Sequence, residues 1–285
     1  MSKGKQARIF SLKARDRPIL DLSNFPIPRT FKTVLFADLI EKIDFGRKGV
    51  SLDIGCGVGV YSFMMAKLGT NVVGIDLTLD NVRASKIQTR CLKYRCDFLV
   101  ADAERLPLAS ESVDCVVHLA VLEHLSDPSV GIEELAQALK PRGKLILYTL
   151  NRTMSPISRL HKKIFPSHYR KELHLVGHSE SSVFSLKDLI ELLAISGINV
   201  NRVLYYSSFV SRIFDWIIVP KIMIFARETT TKRRELMRTL IGLYNIFFFP
   251  LLRVLGKIDS LLERVGASDG IFIIGEKVLR ERRNL

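Results

Sequence analysis

Apolar positions along this chain follow two periods, and the points where one gives way to the other mark its elements. Short continuous apolar runs fall at 50–54, 71–75, 97–100, 113–119 and 144–150, the signature of strands buried on both faces. Between them lie stretches with helical spacing at 60–68, 79–93 and 128–139. Gly69 stops the first of these, and Pro128 sits in the first turn of the last. Ahead of this alternation, Thr30 predicts an N-cap for a helix over 31–44, with Phe31, Val34, Leu35, Ile40 and Ile43 as its apolar stripe. Strands alternating with helices predict an α/β fold whose parallel sheet is covered on both faces.

Beyond Asn151 the pattern predicts a long basic loop, then a helix at about 186–196. Ser185 and Asp188 supply its capping box, and Gly197 ends it. Strands follow at 198–206 and 270–277. The chain thus divides into a basic N-terminal segment with its first helix (1–49), a core (50–206), an apolar and basic helical insert (207–269), and a last strand with a basic tail (270–285).

The run Asp53-Ile54-Gly55-Cys56-Gly57-Val58-Gly59 leaves the first strand and opens a helix. Glycines there let the backbone turn sharply and let a ligand approach without obstruction by Cβ atoms. Val60 occupies the place where a dinucleotide fingerprint needs its third glycine, and no Lys-Ser/Thr pair follows as a P-loop requires. Asp76 closes the second strand, placed to accept hydrogen bonds from both hydroxyls of a ribose. Asp102-Ala103 follows the third strand, at the carboxyl edge where open α/β sheets bind ligands. Each feature alone has a structural reading, since strand-end aspartates commonly cap helices. Four in order, counting the Leu139-Lys140-Pro141-Arg142-Gly143 turn, make a site.

With these residues the chain resembles the class I S-adenosylmethionine-dependent methyltransferases, in the methyltransferase type 11 group that includes quinone-biosynthesis enzymes. The resemblance rests on Leu52–Gly59 as written above, Val73-Gly74-Ile75-Asp76, Ala101-Asp102-Ala103-Glu104-Arg105-Leu106-Pro107, Val113-Asp114 with Leu122-Glu123-His124, and the Leu139–Gly143 turn. It covers roughly 50–205 plus the last strand. It implies a Rossmann-like, doubly wound, seven-stranded sheet with the last strand antiparallel, and S-adenosyl-L-methionine as cofactor. It implies that Gly55, Cys56, Gly57 and Gly59 face the methionine part, with Asp53 near its ammonium group. Asp76 would hold the ribose, Leu77 would lie against adenine, and Asp102 and the Ala103 N–H would read the adenine edge. His118 and Leu119 would border the methionine and the transferred methyl. In this family the final two strands form a compact hairpin, so the 207–269 insert is a departure.

An acidic acceptor would need a base, and His124 and His178 are the candidates, although each also admits a structural role and neither is singled out. His161, His168, His174 and His178 offer only one i, i+4 pair, 174/178, so no metal site is expected. Composition changes the picture through charge. The formal net charge is +14, yet residues 50–150 carry −2, so the excess lies in the flanks. Such flanks attract anionic headgroups, phosphorylated substrates or nucleic acid.

The insert holds two apolar stretches, 209–226 and 240–255, around Lys232-Arg233-Arg234. Arg212, Asp215, Pro220 and Lys221 interrupt the first; the second spans roughly 21 Å of helix against a bilayer core of about 30 Å. The stretch 207–255 therefore reads as an element lying on an anionic membrane surface, as a lid, or as both. The expected acceptor is small and hydrophobic or lipid-linked. RNA methylation is the rival reading, and a non-catalytic cofactor-binding membrane protein is the third. Against RNA, the fourth strand ends His118-Leu119-Ala120-Val121, without an Asn/Asp-Pro-Pro-aromatic run, and no RNA-binding module is recognisable. Cys56, Cys91, Cys96 and Cys115 do not form a disulfide framework, and the N-terminus does not read as a signal peptide. A cytoplasmic protein, peripheral on the inner face of the membrane, is the expectation.

Overall fold

In the computed structural model, residues 49–92, 95–167, 183–206 and 268–279 are described, together with positions 36, 39, 40, 42, 239, 243 and 247. Seven strands form one sheet: β1 (Val50–Ile54), β2 (Asn71–Asp76), β3 (Cys96–Val100), β4 (Val113–Leu119), β5 (Leu139–Leu150), β6 (Ile198–Tyr206) and β7 (Gly270–Lys277). Their spatial order is β3-β2-β1-β4-β5-β7-β6. β1 to β5 run parallel, and β7 lies antiparallel to both β5 and β6, so the expected seven-stranded, doubly wound sheet with its last strand reversed is present.

Side chains alternate across each strand, and both faces are buried. On one face Phe63, Met65, Phe98 and Phe272 pack with Phe36, Leu39 and Ile40, three helical residues inside the predicted 31–44 helix. On the other, Leu52, Ile54, Leu145 and Leu147 lie beneath Ile132, Leu135, Leu189 and Leu193. The covering helices are α1 (Val60–Lys67), α2 (Leu79–Leu92), α3 (Pro128–Ala138), α4 (Pro156–Ile164) and α5 (Leu186–Ile195). Their ends follow local chemistry. Asp127 caps α3 by accepting from the Ser129 and Val130 N–H groups, with Pro128 in the first turn. Ser185 and Asp188 cap α5 reciprocally, as expected.

Two expectations are corrected. The fifth strand begins at Leu139 rather than 144, because Leu139 already pairs with Val113 of β4 and the Lys-Pro-Arg-Gly turn, with Arg142 at φ 61°, forms a bulge inside the strand. The stretch after Asn151 is not simply a loop: α4 forms there, capped by Ser155, whose hydroxyl accepts from the Ser158 N–H. Aliphatic periodicity does not mark this helix from the chain alone: Ser155 and Ser158 are buried, whereas Leu160 and Ile164 are exposed. Ser155 accepts no bond from Asp269 but donates its N–H to Asp269 Oδ1 at 2.8 Å, and the Ser158 hydroxyl donates to Oδ2 at 2.6 Å. His168, His174, His178 and nearly all of the insert lie outside the described residues. Among the described residues, no helix is long and apolar enough to cross a membrane.

Candidate functional site

Winding reverses between β1 and β4, the place in an open α/β sheet where loops part and leave a crevice at the carboxyl edge. A cavity of about 250 Å³ occupies that crevice. Its walls come from the loops that leave β1, β2, β3 and β4.

The β1 loop contributes Gly55 and Gly57. Gly55, Gly57 and Gly59 all have left-handed backbone, with φ of 68°, 55° and 87°. Their environments differ. A Cβ on Gly55 would come within 2.2 Å of Val121 Cγ2, and one on Gly59 within 2.8 Å of the Phe63 ring. A Cβ on Gly57 would meet nothing within 4 Å. Gly57 is therefore the point where the loop presents bare backbone to open space. Its N–H donates to Asp76 Oδ2 at 2.9 Å, and its carbonyl accepts from Ser85 Oγ at 3.0 Å.

Asp76 organises the β2 end. Besides Gly57, it accepts from Thr78 N–H at 2.8 Å and Asn81 Nδ2 at 3.1 Å, both on Oδ1, while still lining the cavity. Leu77 stands next to it on the wall. From the β3 loop come Asp102, Ala103 and Glu104. Asp102 Oδ1 accepts from the Glu104 N–H at 3.0 Å, which tightens this turn. Glu104 in turn accepts from the N–H groups of Ser126 and Asp127, tying the turn to the start of α3.

The β4 end supplies Ala120, Val121, His124 and Leu125. Ala120 holds a φ of 57°, a conformation that costs a non-glycine residue about 1 kcal/mol or more and concentrates at functional sites. A 3-10 turn, Leu122–His124, then swings His124 onto the wall. Beside it Glu123 is buried and accepts from Thr149 Oγ1 at 2.9 Å.

Gly55, Gly57, Asp76, Leu77, Asp102 and Ala103 thus meet in one cavity together with His124. Asp53, Cys56, Gly59, His118 and Leu119 are not on its walls. Asp53 lies on the α1 side of β1, accepting from Ser62 Oγ at 2.5 Å. Burial pushes its pKa up to about 7, against the pull of the Ser62 hydrogen bond, and the Asp76 charge adds to the rise. An ammonium group brought close would draw it back down. Cys56 packs against Gly74, and burial drives its thiol well above the ordinary range. Cys96 and Cys115 are free, and burial pushes both to about 12, so these thiols stay protonated.

His118 is 0% exposed, and neither ring nitrogen has a hydrogen-bond partner among the described residues. Burial lowers its pKa to about 4, leaving a neutral ring that is a poor base near pH 7. Ile75, Asn81, Ala101, Glu104, Ala120, Val121 and Leu125 complete the lining and were not foreseen. The Leu122-Glu123-His124 motif could have pointed to Val121 and Leu125, which flank it; nothing in the chain marks Asn81. Among the described residues, no group of three or more His, Cys, Asp or Glu is arranged to hold a metal ion.

Comparison with known proteins bears on this arrangement. Residues 52–147 match the family model described as methyltransferase domain. A ubiquinone biosynthesis O-methyltransferase from Bartonella tribocorum is 36% identical over 134 residues, which span 43% of this chain and 54% of that protein. The chain thus spans about half the length of the curated relatives it matches. Among solved structures, Haemonchus contortus phosphoethanolamine N-methyltransferase 2, in complex with phosphomonomethylethanolamine and S-adenosylhomocysteine, superposes with a TM-score of 0.59. It is 16% identical, with 90% of this chain and 55% of that one covered. A SAM-dependent methyltransferase from Methanosarcina mazei gives 0.51 at 20% identity, covering 82% of this chain and 95% of that one. At these identities the structural likeness speaks to fold.

Proposed function

We propose that this chain, whose residues 52–147 match a methyltransferase domain, transfers a methyl group from S-adenosyl-L-methionine to a small hydrophobic or lipid-linked acceptor. The observation that carries this reading is the cavity at the β1/β4 switch point, where bare Gly57 backbone, Asp76, Asp102 and Glu104 meet among apolar walls. That donor and acceptor set fits an adenosyl group. Asp76 would accept from the ribose hydroxyls, its carboxylate already aligned by Gly57 on Oδ2 and by Thr78 and Asn81 on Oδ1. Leu77, Ala101, Val121 and Leu125 offer apolar contact to adenine, and Asp102 with the Ala103 N–H reads its polar edge. Cys56 and Gly59 shape the loop from behind, and Asp53, held off the cavity walls by the Ser62 hydroxyl, fastens the end of β1 to α1.

The bound cofactor supplies an electrophilic methyl on a sulfonium, so the protein's task is alignment and exclusion of water. His118 and Leu119 lie buried behind the cavity walls, with the neutral His118 ring acting as packing. His124 lies on the cavity wall, which supports it as the base that would take a proton from a phenolic or alcoholic acceptor. Similarity to a ubiquinone biosynthesis enzyme supports a quinone-like acceptor, and the +14 charge supports work beside an anionic membrane.

Calorimetric titration with S-adenosylhomocysteine tests the site. Asp76→Ala is expected to weaken uptake at least 30-fold while the protein stays folded. A change below threefold would remove the assignment. Incubation with methyl-labelled cofactor and a cell extract tests the acceptor: label should enter the organic phase, and label confined to RNA would refute it.

A further inference from the structure

Helix α4 is turned inside out. Its inward face carries Ser158, which with the capping Ser155 is fully buried and bonded to Asp269. Its outward side carries two stripes of residues four apart. Leu160 and Ile164 are 57% and 55% exposed, and Phe165, just past the last turn, is 58% exposed. Alongside run Arg159 and Lys163, both exposed, with no ion pair among the described residues. Residues 156–165 contain no acidic side chain. A helix that only covered the sheet would place its aliphatic residues inward and its serines outward. Here hydrogen bonds to Asp269 hold the opposite orientation. An apolar stripe flanked by cations is the pattern of a helix seated in a membrane interface.

We propose that α4 is a membrane-docking element: Leu160, Ile164 and Phe165 enter the headgroup region of an anionic bilayer, with Arg159 and Lys163 against its phosphates. Charge decides in favour of lipid over an apolar protein partner, because both exposed cations have no ion pair among the described residues and the whole chain carries +14. Position supports it too. α4 follows the carboxyl end of β5, and Asp269 directly precedes β7, so the helix is fastened at the sheet edge that holds the cofactor cavity. Docking there presents the mouth of the site to the lipid phase. The inference deepens the reading of an apolar acceptor, and its test reads lipid binding without turnover, so either can fail alone.

The full chain is sedimented with vesicles of phosphatidylcholine containing one quarter phosphatidylglycerol, and with pure phosphatidylcholine. It should pellet with the anionic vesicles only, and less so at 0.5 M salt. Leu160→Glu with Ile164→Glu should lower the bound fraction at least tenfold, and Arg159→Ser with Lys163→Ser at least threefold, with S-adenosylhomocysteine uptake retained in both. A second measurement does not depend on losing anything. Trp216, the single tryptophan, is replaced by Phe and Phe165 by Trp; emission should then shift to the blue on adding anionic vesicles. A wild type that stays in the supernatant, a Leu160→Glu/Ile164→Glu protein that pellets like wild type, or an unmoved emission each overturns the proposal. So does an Arg159→Ser/Lys163→Ser protein that binds the anionic vesicles like wild type.

Discussion

Glycine shows how unequal residues of one type can be. Gly55 and Gly57 both have left-handed backbone in the same loop, yet only Gly57 faces open space. Gly57→Ala should therefore cost about 1 kcal/mol of stability, from backbone conformation alone. Its effect on cofactor uptake should be far larger, at least tenfold, because the new methyl enters the cavity. Gly55→Ala should behave the other way round. Its Cβ would drive into Val121, 2.2 Å away, costing about 2 to 3 kcal/mol through overpacking and strain together. Chemical denaturation beside calorimetric titration of the two variants separates these outcomes. The glycines are visible in the chain; which of them guards packing and which guards the ligand is not, because Val121 lies on another strand's loop.

At the scale of elements, the seam between α4 and β7 converts local polarity into orientation. Asp269 accepts from Ser155 N–H and Ser158 Oγ, and Asn151 Nδ2 donates to Ser268 Oγ at 3.3 Å in the same buried layer. Hydrogen bonds to a charged carboxylate contribute about 1.5 to 3 kcal/mol each, and Asp269 is partly buried. Asp269→Ala should accordingly destabilise by about 3 kcal/mol, and amide exchange over 156–164 should rise at least tenfold while β1 and β4 remain protected. Uniform loosening across the sheet would show that the seam holds more than α4. Capping of α3 and α5 was legible, since Asp127-Pro128 and Ser185–Asp188 are adjacent in sequence. The α4 seam was not, because Ser158 and Asp269 stand 111 positions apart.

For the molecule as a whole, the order of strands in space departs from their order in sequence at the end that matters for folding. β7 comes last in the chain yet lies inside the sheet, paired with β5 on one side and β6 on the other. Ile271, Phe272 and Ile273 are completely buried there. Burying each contributes roughly 1.5 to 3 kcal/mol, and the backbone bonds to two neighbours add to that. A chain stopped before Gly270 loses an amount comparable with the whole stability of a domain, about 5 to 15 kcal/mol. It should fail to fold, giving no cooperative thermal transition. A folded truncation that still takes up S-adenosylhomocysteine would contradict this account.

Apart from α4 and the start of β5, the chain by itself determined where the described strands and helices of the sheet lie, and it put Gly57, Asp76, Asp102 and Ala103 just past or at strand ends, because periodicity, caps and turns depend on neighbours a few residues apart. Only the tertiary structure decided which of those residues share a cavity and which, like His118 and Asp53, lie buried away from its walls. It alone turned α4 with its serines inward. Exposure, pKa and the company a side chain keeps are set by segments far apart in sequence, and their meeting is what folding supplies.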